Sequence, residues 1–252
     1  MRLADRIALV TGSSRGIGAA IAKRLAAEGA KLVLHSSQGG KAVQEVAEGI
    51  RMAGAAADVV TGDLTLSDGA SRVVRDAFAV HGALDILVCN AGGPVSGPIV
   101  ELDGAKIDRN IALNLRAVML ATVEFARLTR SRYGRVVLIS SASAGHPVEG
   151  AALYSATKAG AEAFIRCAAQ ELGVRGITLN SVRPGLTASR AVPPEVAEKV
   201  ARWTALRRVG VPEDIADVVA FLASDEARWL TGVSLAATGG QITSATNIIS
   251  KG

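Results

Sequence analysis

Tyr154 and Lys158 stand four residues apart in the segment Leu153-Tyr-Ser-Ala-Thr-Lys-Ala-Gly160, and Ser141 lies thirteen residues before the tyrosine. Residues i and i+4 of a helix share one face, so this spacing sets an ammonium beside a phenol. A free phenol ionises near pH ~10, too high for proton transfer at neutral pH. A neighbouring cation favours the phenolate and brings the group toward the working range. The chain holds only two tyrosines, so one placed a helical turn before a lysine is a candidate acid–base pair. A plain surface contact on a helix has the same spacing, and the two readings are separated by what the rest of the chain carries.

A second group with chemical meaning is Thr11-Gly-Ser-Ser-Arg-Gly-Ile-Gly18, which follows an apolar run and opens a helical pattern. Gly12 permits a tight turn, Gly16 a close approach of the backbone to a diphosphate, and Gly18 close helix–strand packing. The start of the following helix offers free N–H groups and a favourable dipole to an anion. Ser14, Arg15 and Ile17 complete this candidate dinucleotide loop. Its spacing is G-x-x-x-G-x-G, where the general fingerprint is G-x-G-x-x-G, and an ordinary strand-to-helix turn is the alternative. The next strand ends His35-Ser36-Ser37. A carboxylate about 20 residues beyond the glycines would hold a ribose 2′-hydroxyl and repel a 2′-phosphate. Here the candidates Ser36 and Ser37 are neutral, and Arg15 suits bidentate phosphate recognition. The expected cofactor is NADP(H), with NAD(H) as the second choice; Arg15 as a merely solvated loop residue is the competing reading.

These residues must be positioned by regular elements. Strands are expected at Ile7–Thr11, Lys31–His35, Ala57–Thr61, Leu84–Cys89, Arg135–Ser140, Thr178–Arg183 and Val233–Ala236. Helices are expected at Gly16–Glu28, Lys41–Met52, Ser67–His81, Leu102–Arg130, Ala152–Leu172, Pro194–Thr204 and Pro212–Ala223. Strands alternating with helices give βαβ units and a mostly parallel sheet. The expected fold class is α/β: a Rossmann-type, doubly wound, seven-stranded sheet with helices on both faces. No linker or internal repeat divides residues 1–252, so one domain is expected. Its most irregular segment, Gly185–Pro194, would lie over the carboxyl ends of the strands and, with the next helix, form a substrate loop at about 185–210.

Composition fits this architecture. The chain is 49% hydrophobic and only 3% aromatic, so its core is built from Ala, Val, Leu and Ile, as suits strands buried on both faces. The net charge is +5, and the basic residues are scattered, densest at Arg207-Arg208 and around Arg127, Arg130, Arg132 and Arg135. No basic stripe interleaves with aromatics, which argues against a nucleic-acid partner. The two cysteines, Cys89 and Cys167, read as buried free thiols, in keeping with a reducing cytoplasm. The N-terminus has no signal-peptide pattern. No apolar stretch reaches the ~20 residues that span a bilayer. A cytoplasmic protein without a membrane anchor or a metal site is expected.

With the glycine loop, Ser141, Tyr154 and Lys158 in this order, the chain resembles the short-chain dehydrogenase/reductase family from Leu3 to about Gly240. Gly62-Asp63-Leu64 is similar to the family's adenine-contacting segment, and Cys89-Asn90-Ala91-Gly92 to its Asn-Asn-Ala-Gly motif. Asn114 falls where the family carries a catalytic asparagine, and Pro184-Gly185 follows the sixth strand as the family pattern requires. The resemblance implies that Tyr154 exchanges a proton with the substrate oxygen while hydride passes between nicotinamide and substrate carbon. It implies that Ser141 hydrogen-bonds the same oxygen, that Lys158 lowers the phenol's pKa and holds the nicotinamide ribose, and that Asn114 anchors a proton-relaying water. Asp63, Leu64, Asn90, Ala91, Gly92, Pro184, Gly185, Thr187 and Ser189 become expected cofactor contacts. The chain departs from the pattern at Cys89, at Thr187 and Ser189, where Ile and Thr are common, and at Ala237-Thr238-Gly239-Gly240, which lacks the usual acidic or Asn residue. The tail Gln241–Gly252 runs past the familiar end.

Within the family the pattern is most similar to 3-oxoacyl-acyl-carrier-protein reductases of fatty acid biosynthesis. That likeness implies reduction of a 3-oxoacyl thioester and docking of an acidic carrier protein on Arg132 and Arg175. A reductase or dehydrogenase for another small alcohol, sugar or steroid-like ketone is the alternative. A non-catalytic redox sensor is a more distant one, disfavoured because both Tyr154 and Lys158 are present. His146, Pro147 and Glu149 lie between the serine and the tyrosine, either lining a substrate pocket or exposed on a loop. The resemblance also implies a homotetramer joined through the two long Ala-rich helices, Leu102–Arg130 and Ala152–Leu172.

Overall fold

The seven apolar runs become seven parallel strands of one sheet, ordered β3-β2-β1-β4-β5-β6-β7. The computed structural model describes residues 1–94, 97–146, 148–189 and 192–241. The strands are β1 (Ile7–Val10), β2 (Lys31–Ser36), β3 (Ala57–Thr61), β4 (Ile86–Cys89), β5 (Arg135–Ile139), β6 (Thr178–Pro184) and β7 (Ser234–Ala237). The helices are α1 (Gly16–Ala27), α2 (Lys41–Met52), α3 (Gly69–His81), α4 (Gly104–Ile111), α5 (Ala117–Leu128), α6 (Ala152–Leu172), α7 (Pro194–Trp203) and α8 (Pro212–Ala223). The fold class is as the alternating pattern requires, and element ends fall within about two residues of those expected.

Side-chain alternation on the strands feeds two cores. Ala8 and Val10 of β1 join Ile86 and Val88 of β4 in a layer covered by α1, α2 and α8. Leu9, Leu87 and Leu138 point the other way, under α3, α5 and α6. Every residue of β1, β4 and β5 is buried, and each Val or Leu so buried contributes about 1.5–3 kcal/mol. The chain runs outward from β1 to β3 and then returns to β4 on the other side of β1. That reversal opens a crevice at the carboxyl ends of β1 and β4, where open α/β sheets bind ligands.

Two expectations are corrected. The long helix is not uniform: α4 and α5 are joined by a π-helical turn at Ala112–Arg116. A π-turn inserts an extra residue into the helical ladder, and here it carries Asn114. Cys167 is exposed, while Cys89 is buried. The buried stripe of α6 runs through Lys158, Ala161, Glu162, Ile165 and Ala169. Cys167 lies two positions from both Ile165 and Ala169, hence on the opposite face.

Candidate active site

The glycine turn is held by polar side chains beneath it. Gly12 has φ +65°, the left-handed region where a side chain is strained. A Cβ on Gly18 would come within 2.3 Å of the Gly12 carbonyl oxygen, so α1 can begin this close to the turn only with glycine there. Asn90 Nδ2 donates to the carbonyls of Thr11 and Gly12, at 2.9 and 3.0 Å. The Thr11 hydroxyl accepts from the backbone of Asn90 and Ala91. On the other side His35, only 2% exposed, accepts the Gly12 N–H at Nδ1 (3.1 Å) and donates from Nε2 to the Gly62 carbonyl (2.9 Å). These bonds assign the proton to Nε2, and burial lowers the pKa of the ring. Asn90 and His35 thus brace the turn from β4 and β2.

Ser141 lies two residues past β5 and caps a short 3-10 turn, Ala142–Ala144. Its side chain and the Tyr154 phenol line the same cleft. Burial pushes the phenol above its ordinary value, and the bond with Ser141 pulls it back. Lys158, one turn further along α6, is 3% exposed and donates to the Ile139 carbonyl at 2.8 Å. Its nitrogen lies 5.8 Å from the centre of the Tyr154 ring. Burial lowers the Lys158 ammonium to about 8, against the pull of Cys89 and Glu162, and burial pushes the Cys89 thiol up to about 12. Ser141 and the buried Lys158 thus both line the cleft with the phenol, and the lysine's bond goes to the backbone of β5.

Glu162, a further turn along α6 and 1% exposed, anchors this helix. It accepts from Arg183 of β6 at 2.8 and 2.5 Å and from Ser234 of β7 at 3.1 Å. Burial opposes its ionisation, but the Arg183 bonds hold its carboxyl below the usual range. Asn114 is fully buried; its amide accepts from the Gly93 N–H and donates to the Gly93 carbonyl. Its visible work is to fix the segment after β4.

These elements enclose a cleft of about 430 Å³ at the carboxyl ends of the strands. Gly12, Arg15, Gly16, Ile17 and Gly18 line one end. Asn90, Gly92, Ser141, Tyr154, Lys158, Pro184, Gly185, Thr187 and Ser189 line the cleft as well. The structure brings these expected residues together. It leaves others outside the lining. Ser14 is half-buried in the turn, and Ala91 is half-buried against the core. Leu64 is a core residue, 5% exposed. The exposed Asp63 carboxylate is bonded to Thr65, which lowers its pKa. The Ser36 hydroxyl bonds to the Gly39 carbonyl, while Ser37 is exposed. Arg175 donates to the Ala126 and Thr129 carbonyls at the end of α5, so its guanidinium closes a helix terminus. Arg132, His146 and Glu149 are exposed; Pro147 and all of the tail after Gln241 lie outside the described residues. A larger hollow, about 700 Å³, opens around Arg6, Tyr133 and Trp229 near the starts of β1 and β5.

The residues present fit a dinucleotide. The N-terminus of α1 has no side-chain cap, which leaves its first N–H groups for an anion. Gly92 leaves room before Lys158, for a Cβ there would stand 3.1 Å from Nζ and 2.6 Å from Asn114 Oδ1. Among the described residues no group of His, Cys, Asp and Glu could hold a metal. None of the helices described is long and apolar enough to cross a membrane.

The sequence reading passed over His35, Glu162, Arg183 and Ser143. A polar residue ending the strand beside a glycine turn was the available signal for His35. A serine two residues after Ser141 at a strand end was the signal for Ser143. Nothing in the sequence pairs Glu162 with Arg183.

Residues 12–241 match the family model described as enoyl-(acyl carrier protein) reductase. The chain is 37% identical over 246 residues to a hydroxynaphthalene reductase of Aspergillus fumigatus, covering 91% of this chain and 90% of that protein. It is 36% identical over 257 residues to a versicolorin reductase of Emericella nidulans, covering 95% and 96%. Among solved structures it is similar to a short-chain dehydrogenase of Burkholderia cenocepacia in complex with NADP, with TM-score 0.90, 37% identity, and coverage of 96% and 99%.

Proposed function

Because the chain belongs to the short-chain dehydrogenase/reductase family, and is therefore an oxidoreductase, we propose that it reduces a ketone on a fused-ring phenolic substrate to a secondary alcohol, with NADPH. The observation that carries this reading is the convergence of Ser141, Tyr154 and Lys158 on one cleft with the glycine turn. Two hydroxyl donors lining one cleft suit a carbonyl oxygen that gains negative charge. Tyr154 gives that oxygen its proton. Ser141 donates to it and stabilises the developing alkoxide. The buried ammonium of Lys158 sits behind the phenol and keeps positive charge near the transfer. The turn from Gly12 to Gly18 and the start of α1 hold the diphosphate. Arg15, exposed at that turn, meets the 2′-phosphate, and no carboxylate after β2 opposes it. The bound nicotinamide supplies the hydride.

The alternative raised from the sequence, a small-ketone reductase, is preferred over a 3-oxoacyl thioester reductase. The hydroxynaphthalene and versicolorin reductases support it. The family model's description keeps the acyl-carrier reading as a second arm, but the Arg175 guanidinium is already engaged at the end of α5. The test is a panel of fused-ring ketones and a 3-oxoacyl thioester, each with NADPH and with NADH, followed by cofactor absorbance. The expected result is the highest kcat/KM for a fused-ring ketone with NADPH. Preference for the thioester overturns the substrate assignment, and equal KM values for the two cofactors overturn the role of Arg15.

A further inference from the structure

The Ser141 hydroxyl is constrained from behind by its own turn. A serine hydroxyl has one hydrogen to donate and two lone pairs to accept with. Ser143 approaches Ser141 Oγ twice: its backbone N–H at 3.2 Å and its own hydroxyl at 3.0 Å. Both lone pairs are then used, and the single hydrogen has only the cleft side left, which Tyr154 also lines. The first of these bonds needs only a backbone, as in any turn capped by serine. The second needs the Ser143 side chain.

We propose that Ser143 is a positioning residue: by filling the acceptor sites of Ser141 it directs the Ser141 hydrogen toward the oxygen of Tyr154. This rests on the reading of Ser141 and Tyr154 as the proton-handling pair. A hydrogen so aimed stabilises the phenolate and, in turnover, the alkoxide formed at the same place. Without the Ser143 hydroxyl, one acceptor site of Ser141 is left open, its hydroxyl is free to rotate, and the phenolate loses its donor for part of the time. Lys158, whose nitrogen is 5.8 Å from the ring centre, is the neighbouring charge and stays constant across the variants below.

The chain has only two tyrosines, which makes the phenol directly observable. Tyr133 is buried on the far side of the sheet, bonded to the Ala223 carbonyl, and a Tyr133→Phe background leaves Tyr154 as the single titrating phenol. Ultraviolet difference titration of that background is compared with Ser143→Ala, Ser143→Val and Ser143→Thr added to it. The expected result is that Ala and Val move the phenol titration upward by about one pH unit, a tenfold change in its ionisation constant, while Thr restores it. The same Ala and Val changes lower kcat about tenfold with cofactor KM unchanged. Titration of Ser143→Ala at the pH of its parent overturns the proposal, even where turnover falls. Tyr154→Phe serves as the separate control: if it keeps most of kcat, the proton-donor reading itself fails, whereas the titration still decides what Ser143 does to the phenol.

Discussion

At the scale of single residues, the buried groups under the glycine turn matter as much as those lining the cleft. His35 is the clearest case, because its neutral ring joins the turn after β1 to the end of β3 through two backbone bonds. A protonated ring cannot accept the Gly12 N–H. Its pKa is lowered in the folded chain by burial, so between that value and the unfolded value of about 6.5 the unfolded chain binds more protons. Stability therefore falls as pH drops below about 6.5, by at most about 1.4 kcal/mol per pH unit from this one group. His35→Gln keeps a donor and an acceptor without titrating. Urea unfolding from pH 7.5 down to 5 is expected to show a shallower loss in that variant, and parallel curves for the two proteins would remove His35 from the account. Tyr154 and Lys158 stood out by spacing, and Ser141 with the glycine turn set the pair apart from a plain surface contact. The bond from Lys158 to the Ile139 carbonyl joins α6 to β5 and cannot be read along a helix.

At the scale of elements, the position of α6 is set by one ion pair. Glu162 ties the helix bearing Tyr154 and Lys158 to β6 through Arg183 and to β7 through Ser234. The glutamate is 1% and the arginine 26% exposed. Removing one partner of such a pair leaves an uncompensated charge, whereas replacing both by apolar residues is often close to neutral. Glu162→Ala is expected to cost about 3 kcal/mol in denaturant unfolding, and Glu162→Met with Arg183→Met to recover most of that loss. Equal stability of Glu162→Ala and wild type would show that the pair does not hold α6. The helix containing Asn114 makes the complementary point. Its apolar pattern runs on without a break, so its extent was readable, but the π-turn at Ala112–Arg116 was not. The reason is that the Asn114 amide answers to Gly93, a segment across the crevice and invisible to local periodicity.

At the scale of the whole molecule, α5 and α6 leave an apolar surface open. A hollow of about 570 Å³ lies between them, lined in part by Val123, Ala126, Phe164, Cys167 and Ala168, and Val123 is 37% exposed. This exposed side of α6 carries Cys167, the thiol expected to be buried. Partner copies meeting on these helices would cover it, as the expected homotetramer requires. Light scattering is expected to give a mass near four chains, and Val123→Glu, which sets a charge into the contact, to lower it. A single-chain mass for the wild-type protein would rule the assembly out. All seven strands join in one sheet, with the cleft at its topological reversal.

The sequence by itself determined the strands, most of the helices and the parallel pairing that follows from their alternation. It also singled out Ser141, Tyr154, Lys158 and the glycine turn as candidate parts of a site. All of these depend on local periodicity or on spacing within one element and its flanking turns, which a chain carries along its own length. Only the tertiary structure decided which side chains hold these parts in place. The Asn90 and His35 braces, the Glu162–Arg183 tie and the Asn114–Gly93 bonds each join segments at least twenty residues apart. Such pairs form because a polar group buried at the end of a strand must find a partner, and the partner is chosen by the neighbours that folding supplies.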